Sequence, residues 1–182
     1  MKKVLTILIL LLAIIVIALF IISKKPEVMK ESSVLSNMKI ESTAFQNNQS
    51  IPSLYTCDGA NINPPLTFSD IPAGAKSLAL IMDDPDAPMG TWDHWIIFNI
   101  PPETKEIKEG LVPEGVLGVT SFRKTGYGGP CPPDREHRYF FKLYALDTIL
   151  NLPEGSSKKE VEVAMSGHII AQAELVGKYN RK

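Results

Sequence analysis

Three histidines occur in the 182 residues, and two of them open strand-like runs on the same side as apolar side chains. His94 begins HWIIFNI, where period-two alternation places His94, Ile96, Phe98 and Ile100 on one face. His137 begins HRYFFKLYAL and shares its face with Tyr139, Phe141 and Leu143. A third run, SLALIMDD, aligns Leu78, Leu80 and Met82 and ends the same face on Asp84. A polar group at the end of an apolar face needs a partner, because burying it bare costs ~2–7 kcal/mol. Two imidazoles, a phenol and a carboxylate so placed could form one small polar pocket. Such a set describes binding better than reaction. The chain has no G-x-S-x-G, no reactive-cysteine motif and no P-loop, and no cofactor is expected.

The elements that position these residues follow from turn chemistry. DPDAPMGTWD, between the first two runs, has two prolines and a glycine and is read as a connection. Asp84 and His94 therefore belong to one sheet edge. TGYGGPCPPD, Thr125–Asp134, has three glycines and three prolines and feeds the strand at His137. It meets the first connection if the His137 strand lies antiparallel to Ser77–Asp84. Further strands are expected at Met38–Phe45, Leu66–Phe68, Val116–Phe122 and along HIIAQAELVGKY. One helix is signalled by the capping-box spacing Ser157-Lys158-Lys159-Glu160, an apolar face of Val161, Ala164 and Met165, and Gly167 as a stop. The fold class is mostly β, a two-sheet sandwich with a late helix.

The first 25 residues differ in kind. Val4–Ile22 has Thr6 as its only polar residue and would span roughly 28 Å as a helix, close to the ~30 Å hydrocarbon core. The run is longer than the apolar part of a signal peptide and lacks an A-x-A-like site. The expectation is an uncleaved N-terminal membrane anchor at 1–25, a linker at 26–37 and a domain at 38–182, with the domain outside the cytoplasm. Four of the 19 basic residues lie in the anchor, which leaves 15 against 20 acidic ones, a net of −5. That balance argues against nucleic acid as a partner. Cys57 and Cys131 could pair outside the cytoplasm or remain buried thiols inside it.

DDPDAPMGTWDHW (Asp83–Trp95), GYGGPCPPDREHRYFFKLYALD (Gly126–Asp147) and GHIIAQAELVGKY (Gly167–Tyr179) resemble the phosphatidylethanolamine-binding protein family. The likeness is strongest to its bacterial and archaeal Raf kinase inhibitor-like (YbhB/YbcL-like) branch, and runs from about Ile40 to the C-terminus. It implies a large central antiparallel sheet packed on a smaller one. It also implies a shallow pocket for phosphate-type anions, such as a lipid head group or a phosphorylated residue. Transferred by motif, that pocket holds Asp84, Asp86, Trp92, His94, Gly129, Pro130, His137 and Tyr139. Imidazole N–H, the Tyr139 hydroxyl and backbone N–H groups of the glycine-rich loop would be the donors, with Asp84 orienting a histidine.

Each residue has a plainer role beside this one. Asp86 and Asp93 could cap turns, Trp92 and Trp95 could be core aromatics, and His168 follows a helix end. Arg138 and Lys142 fall on the opposite strand face and are expected to be solvated. Three functions compete. The first is a non-catalytic module for a phosphate-bearing ligand, modulating a kinase or protease. The second is a metal-dependent hydrolase using Asp84, Asp86, His94 and His137. The third is a surface-acting enzyme inhibitor with a vestigial pocket.

Overall fold

Antiparallel pairing of the three strongest strands sets the architecture. The computed structural model describes residues 37–181. In chain order these form β1 (Lys39–Glu41), β2 (Gln49–Ser50), a 3-10 turn (Ser53–Tyr55), β3 (Leu66–Ser69), β4 (Ser77–Asp84), β5 (Trp92–Ile100), β6 (Glu106–Ile107), β7 (Val116–Leu117), β8 (His137–Leu146), α1 (Lys158–Met165) and β9 (Ile169–Tyr179). The large sheet has the order β2-β9-β8-β4-β5-β7, and the small one β1-β3-β6. β8 runs antiparallel to β4, so the connections after β4 and before β8 meet at one sheet edge. The large sheet is antiparallel except at its rim, where β2 pairs with β9 in parallel. Val116–Phe122 forms a strand only over its first two residues.

β4 is buried along its whole length, because both faces of the large sheet are covered. Leu78, Leu80 and Met82 pack with Ile40, Leu66 and Phe68 of the small sheet. Ala79 and Ile81 pack on the other side with Val161 and Met165 of α1. Strict alternation fails in β5. Met82 pairs with Trp95 but Asp83 with Asp93, so His94 is an extra residue in the ladder. A second shift lies between Leu78 and Leu80, next to Asn99 with φ +55°. The two bulges place Trp95, Ile97 and Ile100 in the inter-sheet core and Ile96 and Phe98 beneath the helix. The face shared by His94, Ile96 and Phe98 in an ideal strand is thus broken immediately after His94.

α1 begins on the expected capping box, with Ser157 and Glu160 each bonding the other's backbone N–H. Gly167 follows the C-cap Ser166 with φ +80°. The helix is also tied to the sheet by charge. Asp83 and Asp93 face each other across β4 and β5, and like charges so placed repel. The Lys158 ammonium bridges both, at 2.9 and 2.8 Å, and Lys142 adds a third contact to Asp83 at 2.9 Å. Lys142 and Asp93 are therefore members of a partly buried ion network. Arg138, though half exposed, is also paired, with Asp86.

No helix among the described residues is long and apolar enough to cross a membrane. The fold class is corrected accordingly: the described residues form a β-sandwich with one C-terminal-region helix, none of it able to span a membrane. The anchor expected at residues 1–25, and most of the linker expected at 26–37, lie outside the described residues. Membrane anchoring, and the extracytoplasmic placement deduced from it, are not supported, since no described helix could span a bilayer. The ion network makes a testable demand. Lys158→Met should destabilise the chain by about 2–3 kcal/mol, because it leaves two facing carboxylates with one cation. Urea unfolding measures this, and a loss below ~0.5 kcal/mol would show that the network contributes packing alone.

Candidate functional site

At the edge where β4 ends and β5 and β8 begin lies a recess of about 420 Å³, within the ordinary range for small-molecule sites. Asp84, Trp92, His94, His137 and Tyr139 line it, together with Ala87, Pro88, Met89, Phe122, Cys131 and Pro133. Five of the eight residues expected at the pocket thus meet around one opening. Asp86, Gly129 and Pro130 do not line it. Asp86 turns outward into a two-bond fork with Arg138, both bonds 2.8 Å. The guanidinium hydrogen bonds hold its carboxyl down at about 2.

The bulge that re-aims β5 sets the position of His94. Its ring stands edge-on to Tyr139 and to Phe122, with centroids 5.2 and 5.4 Å away. Nδ1–H donates to the Gly128 carbonyl at 2.6 Å, which defines the tautomer and leaves Nε2 as the nitrogen available to the recess. Burial pushes the His94 pKa down, against the pull of the Gly128 carbonyl and nearby aspartates. At neutral pH Nε2 is therefore a lone-pair acceptor. The Tyr139 hydroxyl is buried without a hydrogen-bond partner among the described residues. The Cys131 backbone favours the phenolate, but the hydroxyl proton itself has no acceptor among the described residues. Burial raises the Tyr139 pKa, so the phenol stays protonated and able to donate.

His137 is committed differently. It is fully buried, with Nδ1 2.8 Å from Asp84 Oδ2 and Nε2 2.8 Å from Asp134 Oδ1. Burial alone would discharge the ring, but hydrogen bonds to the two carboxylates and their negative charge outweigh it and raise its pKa. His137 is an imidazolium donating at both ends. The other Asp84 oxygen accepts the Asp86 N–H at 2.8 Å. The glycine-rich loop is also satisfied internally. Gly128 N–H donates to the His94 carbonyl at 2.9 Å, and Gly129 N–H to Asn61 Oδ1 at 2.7 Å. The Gly128 bond fastens the loop to β5, and the loop docks on the segment Tyr55–Asn61 through the Gly129 bond, through Tyr127 O–H to the Tyr55 carbonyl at 2.7 Å, through Cys57 N–H to the Pro130 carbonyl at 3.0 Å, and through a Cys57–Cys131 disulfide. A Cβ on Gly129 would lie 2.4 Å from the Tyr55 carbonyl oxygen, so only glycine permits this approach.

Sequence reasoning missed Phe122, which stands edge-on to Trp92 as well, and Met89, exposed at the mouth. It also missed Asp134. The signal for Asp134 was its i, i+3 spacing to His137, an uninformative spacing outside a helix. As metal ligands the four residues weighed for hydrolysis are poorly disposed. Both His137 nitrogens face carboxylates and Asp86 is forked to Arg138. Among the described residues no group of three or more His, Cys, Asp or Glu side chains is arranged to hold a metal ion.

Two measurements test this geometry. In an NMR pH titration His137 should titrate above, and His94 below, the ordinary value of about 6.5. Stability should then fall on both sides of that pH. Below it the unfolded chain takes up a proton that folded His94 refuses, and above it the folded chain retains a proton on His137 that the unfolded chain has lost. The reverse order of titration would contradict the hydrogen-bond assignments. Gly129→Ala should cost about 2–3 kcal/mol through the backbone clash, read as a fall in Tm; an unchanged Tm would show that the loop can shift freely.

Comparison with known proteins places this arrangement. The phosphatidylethanolamine-binding protein family matches residues 41–180. A UPF0098 protein of Methanothermobacter thermautotrophicus is 52% identical over 150 residues, spanning 79% of this chain and 99% of the relative. One from Aquifex aeolicus is 49% identical over 152 residues, 79% of this chain and 89% of its own length. Among solved structures, a phosphatidylethanolamine-binding protein homolog of Chlamydia trachomatis superposes with a TM-score of 0.79 at 45% identity, covering 81% of this chain and 99% of that one. E. coli YbcL, described as a member of the mammalian family, gives 0.75 at 32% identity over 80% of this chain and 99% of its own. The chain belongs to the phosphatidylethanolamine-binding protein family.

Proposed function

We propose that this protein is a non-catalytic binding protein whose recess receives the phosphate of a phosphate ester, and that it acts by sequestering that group or by engaging a kinase or protease that carries or handles it. One observation carries the reading. A bare imidazole nitrogen on His94 and a partnerless hydroxyl on Tyr139 face the same small, mainly apolar recess, and neither has a nucleophile–base relation with a neighbour. A buried hydroxyl without a partner costs about 1–3 kcal/mol, which an acceptor oxygen from a ligand would recover. Trp92, Phe122 and Met89 at the rim suit an ester with an apolar or aromatic substituent better than free phosphate. The family name, and the phosphate-type ligands of the family, point to the same class.

The protonation state of His94 makes a specific demand. A phosphate monoester near pH 7 exists as monoanion and dianion, with its second pKa about 6. The monoanion can donate its P–O–H to His94 Nε2, whereas the dianion needs an imidazolium there. Either way one proton must reside between the two groups, so binding is linked to proton uptake and weakens as pH rises. Titration calorimetry with phosphoethanolamine and phenyl phosphate, in buffers of different ionisation enthalpy, should show uptake of up to one proton and affinity falling about tenfold per pH unit above 7. His94→Gln should weaken binding at least tenfold. Failure of every phosphate ester to bind, or pH-independent binding unaffected by that substitution, would end the proposal.

A further inference from the structure

The expected donors of the recess are largely engaged within the protein. The exception is instructive. His137 is held on its inner side by Asp84, itself only 3% exposed. Its outer N–H is held by Asp134, whose side chain is 47% exposed on the loop before β8. The other oxygen of the same carboxylate accepts from the Arg135 guanidinium at 3.0 Å. Asp134 thus sits between a buried cation and a surface cation, with one oxygen on each. Two charge-assisted donors converging on a pair of oxygens make an anion receptor, and here the receptor is filled by the chain's own side chain.

We infer that Asp134 is an internal occupant of an anion-binding position beside the recess, and that the phosphate of a ligand takes this position by displacing the Asp134 carboxylate from His137 Nε2 and Arg135. The inference rests on the phosphate-binding reading above and extends it to a residue that governs access. Electrostatics give the same ordering. With Asp134 in place, the His137 imidazolium and the Arg135 guanidinium are balanced by two carboxylates, a net charge of zero that offers a dianion no attraction. With Asp134 turned away, Asp84 and His137 cancel and Arg135 adds a positive charge. Turning the side chain needs rotation only about its own bonds, towards solvent it already half faces. The backbone stays fixed by Pro132, Pro133 and the Cys57–Cys131 disulfide. His137 Nε2 and His94 Nε2 then offer a donor and an acceptor at one recess, and a protonated phosphate monoester can satisfy both.

The test is calorimetric titration of the full chain with inorganic phosphate at pH 7 and constant ionic strength, comparing the native protein with Asp134→Asn, Asp134→Ala and the double change Asp134→Ala with Arg135→Gln. Long-range 1H–15N spectra of the imidazoles follow the site. Both single variants should bind phosphate at least tenfold more tightly, with a phosphate-induced shift at His137 Nε2, and the added Arg135→Gln should reverse at least threefold of that gain. Phosphate binding by the native chain that is within twofold of both variants overturns the displacement while leaving the recess as a phosphate site. Binding by the variants but not by the native chain would show that Asp134 fills an anion position but overturns its displacement by phosphate. No binding by any form overturns both. Asp134 lies on a half-exposed loop, and matching thermal melts would confirm that the variants are folded.

Discussion

A single buried imidazolium organises the functional end of this molecule. His137 carries a positive charge where water is excluded, and that is tolerable only because Asp84 meets it at 2.8 Å from the end of the neighbouring strand. The pairing spans the place where the β4–β8 ladder stops, at Asp83 opposite Phe140. It therefore joins two strands at their open end and brings Asp84, Tyr139 and the loop before β8 to one edge. Remove that pair and the edge would be held by the exposed Asp86–Arg138 fork and by the loop's docking on the segment after Tyr55. The remaining polar groups of the recess take their roles from it. Because both His137 nitrogens are engaged by carboxylates, the His94 Nε2 and the Tyr139 hydroxyl are the recess groups without a partner in the folded chain.

Asp83 and Asp84 show how the same residue type serves two purposes one position apart. Alternation sends Asp84 to the recess and Asp83 to the opposite face. There it joins Asp93, Lys142 and Lys158 and fastens α1 to the sheet. One strand end therefore carries a structural ion network on one side and a recess-lining one on the other. The two share no residue, although Asp83 and Asp93 add to the field felt by His94.

Membership of the family and the character of the recess lead to a binding protein, but the hydrogen bonds alter what such a recess can hold. An open cup of donors would favour any small anion. This one commits the Gly128 and Gly129 N–H groups to the His94 carbonyl and the Asn61 side chain, and presents one unpartnered donor, one acceptor and an apolar rim. Under the proposed function, that balance would select a partly protonated phosphate ester, because the unmatched alternatives leave a buried polar group without a partner.

Much of this was legible in the chain. The runs at Ser77, His94 and His137 are long, apolar and bounded by proline and glycine, so their strand character, and the shared edge of Asp84 and His94, follow from local preferences; that the His137 strand joins them was decided by its antiparallel pairing with β4. The helix could be placed from its capping box for the same reason. Grouping His94 with Ile96 and Phe98 failed, because a bulge is decided by how two strands register against two different cores, and the run HWIIFNI carries no mark of it. Asp86, Arg138, Lys142 and Lys158 were likewise unreadable as pairs. Their partners are separated by up to 75 residues, and Coulomb attraction acts through space without regard to sequence spacing. Residue order determined which groups could do chemistry. Which of them remain free to do it was settled only when the folded chain paired off the rest.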